Sequence, residues 1–189
     1  MGGDMAKATS VLRHEHEAIL KMLDVADEVS RRVERGVPVA PEVFSGLVEF
    51  FRLFADKCHH GKEEDLLFPT MEGKGIPRQG GPVGVMLSEH DQGRAYLKEM
   101  AVVSEEIARG NAAAASRWVV GARGYSDLLR AHIQKENNIL FVMAERMLSD
   151  DEQAELARGF EKLEIDKMGP GTHERLHAMM DKLVAEILK

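Results

Sequence analysis

Two stretches of the sequence repeat one phrase, with histidine and glutamate four residues apart. HHGKEEDLLF at 59–68 and HIQKENNILF at 132–141 align Lys62 with Lys135 and Leu67-Phe68 with Leu140-Phe141. The same alignment pairs His59 with His132 and Glu63 with Glu136. On a helix a four-residue step is about 400°, so each pair falls one turn apart on one face. An imidazole nitrogen and a carboxylate oxygen on one face can reach the same metal or two adjacent metals. A Glu-His pair precedes each phrase, Glu15-His16 and Glu89-His90. His16 lies 43 residues before His59, and His90 lies 42 before His132. The chain therefore reads as an internal duplication.

The donor types choose the metal. Four imidazoles and two carboxylates, with no thiolate, suit iron, manganese or zinc. Two carboxylates shared between two centres would make the site dinuclear, with a solvent-derived oxo or hydroxo bridge. Iron is the expected ion, because such donors suit a centre that cycles between ferrous and ferric states. Manganese and zinc come behind it. A lone core histidine is ordinarily just hydrogen-bonded, and a single His-x-x-x-Glu is more often a surface contact. Neither reading accounts for six donors in a duplicated frame.

Those donors need helices to position them. Apolar residues recur at three and four, as in Leu12, Ile19, Leu23 and Ala26. The spacing predicts a first helix from Met5 to about Arg35, capped by Asp4 or Thr9 and ended by Gly36 and Pro38. A second should start near Pro41 and stop near Pro69. The Gly- and Pro-rich stretch 72–82 reads as a loop. A third helix fits Val83 to about Arg109 and a fourth Ala112 to Leu148. Ser149 and Asp150 should cap a shorter helix to about Lys167. Thr172 should cap a last one, His173 to Leu188. No convincing strand appears. The fold expected is all-α: an antiparallel up-down-up-down four-helix bundle with two additional C-terminal helices. It is expected as a single domain over 1–189, with 150–189 as a C-terminal extension.

Helix lengths test the convergence. From His16 to the end of its helix is roughly 28 Å, and from the start of the second helix back to His59 roughly 26 Å, at 1.5 Å per residue. The path from His90 up and down again to His132 matches in the same way, at roughly 30 Å each way. Four histidines and two glutamates should then meet at one height inside the bundle.

At these residues the sequence resembles the hemerythrin-like, or HHE cation-binding, family. The resembling phrases are HEHEAI, DKCHHGKEEDLLFP, GGPVGVMLSEHDQGR and AHIQKENNILF, with GTHERLHAMMDKL similar to extended bacterial members. The resemblance implies a non-haem di-iron site in a four-helix bundle. Its ligands would be His16, His59, Glu63, His90, His132 and Glu136, with Glu63 and Glu136 bridging. Such relatives carry or sense oxygen, respond to nitric oxide, store or sense iron, or repair iron centres. The oxygen carriers have a further histidine one turn after the third-helix ligand. Here that position is Arg94. One iron would then lack a terminal ligand or gain one from elsewhere, which speaks for sensing or redox chemistry over reversible carriage.

Other candidates are weighed beside these. His60 and Glu64 form a second pair rotated by about 100°. The repeat favours His59 and Glu63, because Ile133 and Asn137 fill the parallel slots. His14 should face elsewhere, Tyr125 should be a core residue, and Cys58 a buried small side chain. Glu174 to His177 is a lone ExxH, whereas ferritin-like sites need two. His173 and His177 are candidates for closing one end of the bundle as outer partners or a fifth ligand.

Composition bounds the function. The chain has 189 residues, 44% of them hydrophobic, enough for a sizeable core. With 25 Lys and Arg against 32 Asp and Glu, the formal charge is −7, which argues against nucleic acid or an anionic membrane as partner. One cysteine excludes a disulfide framework. The N-terminus lacks an apolar leader and no run reaches membrane-spanning length, so a cytoplasmic protein is expected. The expected function is sensing or handling oxygen, nitric oxide or iron, with a redox partner protein as a further candidate. The alternatives are a di-iron oxidase or peroxide-consuming enzyme on the same site, or a metal-stapled helical interaction module.

Overall fold

A computed structural model describes residues 7–188. Six helices account for the architecture. α1 spans Ala8–Glu34. α2 begins as Pro41–Phe50 and runs without a break through the wider turns Phe51–His60 and Glu63–Leu67 to end as Phe68–Gly73. α3 spans Pro82–Ala108. A short 3-10 turn, Ala112–Ala114, leads into α4, which comprises Ala115–Lys135, the wider turn Glu136–Leu140, and Phe141–Met147. α5 spans Asp150–Met168 and α6 Thr172–Ile187. α1 to α4 pack in a ring, each against the next and α4 back against α1, as an up-down-up-down bundle. α5 and α6 both lie across α1 and α2. Among the described residues there is no strand.

Local chemistry explains the helix ends. Gly36, Gly75 and Gly110 have φ of +69°, +100° and +95°, a region L side chains rarely enter. Each closes its helix with paired backbone bonds. Val37 N–H reaches Arg32 O at 2.8 Å while Gly36 N–H reaches Val33 O at 3.0 Å, and the other two glycines repeat the pattern. Ser149 caps α5 as expected. Its hydroxyl accepts from Glu152 N–H at 3.3 Å and the Glu152 carboxylate accepts from Ser149 N–H at 2.8 Å. Ser149→Ala should cost about 1 kcal/mol of stability, read as a lowered urea midpoint at unchanged m-value.

Three expectations about ends are corrected. α2 does not stop near Pro69 but continues to Gly73. A proline inside an ordinary helix clashes with the carbonyl four residues back. Here Phe68 N–H bonds Glu63 O, five residues back, so the turn just before Pro69 is widened and admits the ring. Thr172 is not the cap of α6. Gly171 takes that position at φ +77°, and the Thr172 hydroxyl donates back to Met168 O at 2.8 Å. Thr9 is not a cap either. It sits in the first turn of α1, where its N–H donates to Gln153 Oε1 of α5 at 3.3 Å. Asp4 and Met5 lie outside the described residues.

The core falls into two apolar clusters. The larger contains Ile19, Leu23, Phe51, Phe54, Leu97, Trp118 and Leu129, with the Phe44 and Trp118 rings edge to face at 5.0 Å. The smaller contains Leu12, Leu67, Phe68, Met86, Leu140, Phe141 and Phe160. In every bundle helix the candidate donors fall between the two. His16 lies between Leu12 and Ile19, and His59 to Glu63 between Ala55 and Leu67. His90 lies between Met86 and Leu97, and His132 to Glu136 between Leu129 and Leu140. A polar layer is thus clamped between two oily ones. Each fully buried aromatic or Leu contributes roughly 1.5–3 kcal/mol, while each buried charge costs several, so the clamping clusters sustain the layer.

Candidate metal centre

His16, His59, Glu63, His90, His132 and Glu136 are all buried and all meet in this layer. His16 Nε2 is 3.0 Å from His59 Nε2, and His90 Nε2 is 3.1 Å from His132 Nε2. The two carboxylates lie between these pairs. Glu63 has Oε1 at 3.7 Å from His59 Nε2 and Oε2 at 3.5 Å from His90 Nε2. Glu136 has Oε2 at 3.1 Å from His16 Nε2 and Oε1 at 3.1 Å from His132 Nε2. Each glutamate therefore offers one oxygen to either histidine pair.

The outer nitrogen of each ring is already committed. His59 Nδ1–H donates to Glu15 at 2.9 Å, His132 Nδ1–H to Glu89 at 2.8 Å, and His90 Nδ1–H to Glu64 at 2.7 Å. His16 Nδ1–H donates to Asn137 Oδ1 at 3.0 Å. Carboxylate and amide oxygens only accept, so Nδ1 carries a proton in each ring and Nε2 is the atom turned inward. This is the arrangement by which metal-binding histidines are oriented. The duplication extends to these partners. Glu15 and Glu89 each support the second histidine of their own half, and Lys62 and Lys135 each bind the supporting glutamate. Glu64 and Asn137, aligned in the two phrases, each support the first histidine of the other half, His90 and His16.

Charge makes the layer unusual. The four oxygens of Glu63 and Glu136 are buried without a hydrogen-bond partner. Burial, and then the neighbouring Glu136 carboxylate, hold the Glu63 carboxyl well above the usual range. Burial also acts upward on Glu136, but His132 and His16 outweigh it and hold this carboxyl well below. Burial lowers His59 to about 4, whereas at His132 the Glu136 and Glu89 carboxylates overcome burial and raise it to about 9. Facing lone pairs and two like-charged acids cannot all be satisfied by protons. Divalent cations satisfy them together, so the donor set fits a metal pair. Each of two groups, His16–His59–Glu63–Glu136 and His60–Glu63–His90–His132, brings its ligand atoms within 4.8 Å of one another.

His60 is the residue that the repeat set aside. Both its ring nitrogens are buried without a hydrogen bond, Nδ1 standing 3.4 Å from Asp56, and the ring stacks on His90 at 3.8 Å. A hundred-degree step would turn it away from His59. The wider turns of Phe51–His60 carry more residues per revolution, so neighbouring side chains diverge less and both face the layer. In the other half the aligned residue is Ile133, a buried member of the larger apolar cluster, so the two halves do not offer the same donors. Arg94 stands behind the site. Its guanidinium donates to Glu64 and Asp56 at 2.7 and 2.8 Å, reaching His90 through Glu64. Widened turns begin at both Glu63 and Glu136, whose carbonyls accept from residues five along. Nothing in the one-dimensional pattern announces such turns, which concentrate at functional sites.

The remaining candidates sort simply. His14 is exposed beside Glu17. Tyr125 is a core residue against Phe51, its hydroxyl without a partner. Cys58 is fully buried. His173 approaches the site only through a chain: Glu164, Lys62, Glu15, then His59.

Fold and site define a class: a helical bundle with a buried layer of histidines and shared carboxylates able to hold cations. Residues 7–144 match the family described as Hemerythrin HHE cation binding domain, and the chain belongs to that family. Its relatives include proteins named iron-sulfur cluster repair protein YtfE. Those of Salmonella paratyphi B and Salmonella newport are 32% identical over 119 residues, and that of Escherichia coli O81 is 33% identical. In each case the match covers 60% of this chain and 53% of the relative, so the chain spans about half the length of these proteins. No solved structure matches the chain. Among the described residues no helix is long and apolar enough to cross a membrane.

Proposed function

We propose that this chain is a non-haem di-iron protein that handles iron or nitric oxide and serves the repair of iron centres. The observation that carries the reading is the set of inward Nε2 atoms converging on two buried carboxylates that have no hydrogen-bond partner of their own. One position would be held by His16, His59, Glu63 and Glu136. The other would be held by His90, His132 and His60 with the same two bridging glutamates. Bound iron would supply one-electron chemistry toward a small diatomic ligand, with an oxo or hydroxo bridge between the ions. The chain's own residues set the conditions. Glu15, Glu64, Glu89 and Asn137 hold the imidazoles in one tautomer. Phe68 and Phe141, close to His90 and His16 at 5.9 and 5.4 Å, keep bulk water out. Ile133 leaves the first position one protein donor short and so open to a ligand. The name of the relatives favours the repair of iron–sulfur clusters within this reading.

The test is iron quantitation with spectroscopy on protein purified from iron-replete cells. About two Fe per chain are expected, with visible absorption that changes when the reduced protein meets oxygen or nitric oxide. Full iron content in His59→Ala and His132→Ala would overturn the assignment. The same open position also favours an oxidase or peroxide-consuming activity as the second reading. Catalytic turnover of oxygen or peroxide would select it over stoichiometric ligand binding.

A further inference from the structure

Outside the buried layer, a second group of unlike donors gathers where α5 and α6 cross α2. Cys58 of α2, Glu164 of α5 and His173 of α6 bring Sγ, a carboxylate oxygen and a ring nitrogen within 4.8 Å of one another. Cys58 Sγ is 3.7 Å from Glu164 Oε2. His173 Nδ1 is 2.9 Å from Glu164 Oε1 but off the line of a hydrogen bond, and it is buried with no hydrogen-bond partner. The other ring nitrogen, Nε2, is 2.9 Å from His177 Nε2. Phe54 lies 5.6 Å from both rings and fixes their planes. Glu164, His173 and His177 also line a cavity of about 450 Å³ that reaches His14 and Glu161.

We propose that Cys58, Glu164 and His173 form a separate mononuclear site for a borderline-soft divalent cation such as zinc. Sulfur, nitrogen and oxygen donors at tetrahedral spacing are what zinc accepts, and three protein ligands leave a fourth position open to the cavity. Tetrahedral bonds of about 2.0–2.3 Å require the three atoms to close in by roughly 1 Å, within reach of side-chain adjustment. His177 completes the orientation. With Nδ1 on the metal, His173 donates its Nε2–H to His177 Nε2, the outer support seen at metal-bound imidazoles. Charge agrees. Glu15 and Glu164 both bind the single ammonium of Lys62, which leaves one carboxylate charge beyond what that ammonium neutralises. A free thiol is protonated at neutral pH. On binding, the S–H bond breaks, an S–metal bond forms, and the proton is released to solvent. No redox change is involved.

The sole cysteine makes the test specific, because any thiolate–metal absorption reports Cys58. The iron-loaded chain is titrated with Co²⁺, a spectroscopic stand-in for zinc. The expected result is one equivalent bound per chain, with near-ultraviolet thiolate-to-cobalt absorption and intense tetrahedral visible bands. His177→Ala should weaken binding about 10–100-fold, the usual effect of an outer partner. His173→Asn should weaken it at least as much, with iron content and the far-ultraviolet spectrum unchanged. Cobalt bound without thiolate absorption would overturn the proposal. So would thiolate absorption undiminished in His173→Asn. Because Cys58 adjoins His59, His173→Asn decides the matter if Cys58→Ser fails to hold iron.

Discussion

Glu63→Gln should strip both metal positions, while His60→Ile should strip only one. Glu63 alone among the donors belongs to both four-residue groups, with an oxygen toward His59 and another toward His90. An amide keeps the shape, removes the charge and turns an N–H toward one of the two ions. Iron content should fall from about two per chain to nearly none. His60→Ile merely repeats the Ile133 environment, so about one iron should remain. The metal-free proteins should rank the other way. Without cations, burial and Glu136 hold the Glu63 carboxyl well above its ordinary range. The folded state therefore binds more protons than the unfolded state once pH exceeds the unfolded value. Stability of the metal-free wild type should then fall as pH rises from the unfolded carboxyl range toward the raised folded value. Glu63→Gln removes that slope. At pH 7 the metal-free variant should be more stable than metal-free wild type, because an amide needs no proton taken up from solution on folding. Urea unfolding of both proteins, with and without iron, checks the crossing. A variant that kept two irons, or one destabilised in both states, would remove Glu63 from the bridging role.

The contrast between what the sequence discloses and what it withholds follows from period and rotation. Four-residue spacing and matched helix lengths are properties of one dimension. They sufficed to bring His16, His59, His90 and His132 to one level with Glu63 and Glu136. Which flank of a helix turns inward depends on winding and on neighbours. The repeat favours His59 over His60 because Ile133 fills the parallel slot, and it carries no sign of the widened turns of α2 that bring both histidines round. Pro69 misled for the same reason. Glu15-His16 and Glu89-His90 stood out as dipeptides, yet each glutamate serves a histidine on another helix, His59 and His132. Such pairing is set by how helices face each other, which no local pattern encodes. Arg94 shows the limit of analogy. Where a carrier would place a ligand, this chain places a cation that steadies Glu64 and, through it, His90.

The duplicated frame offers an internal control for the cost of breaking that outer support. Lys62 and Lys135 are aligned, and each ammonium binds the glutamate that holds a histidine. Their surroundings differ. The Lys62 side chain is 2% exposed and its Glu15 partner 6%, whereas Lys135 is 37% exposed and Glu89 13%. Burial pulls the Lys62 ammonium down, but Glu15 and Glu164 overcome it and hold it above the ordinary lysine range, so the charge is present at neutral pH. Lys62→Met should leave Glu15 buried and uncompensated, a loss of about 3–5 kcal/mol. Lys135→Met exposes its partner to water that can replace the lost bond, and should cost about 1 kcal/mol or less. The function should follow the same order. With Glu15 no longer fixed, His59 loses its tautomer support and iron affinity should drop about 10–100-fold. Lys62→Met/Glu15→Gln should recover part of the stability, because no bare charge remains, but not the affinity, because an amide holds the imidazole less tightly. Urea midpoints and iron competition with a chelator separate these outcomes. Equal costs for the two lysine variants would mean that water reaches Glu15 as readily as Glu89, and the dry support of His59 would have to be given up.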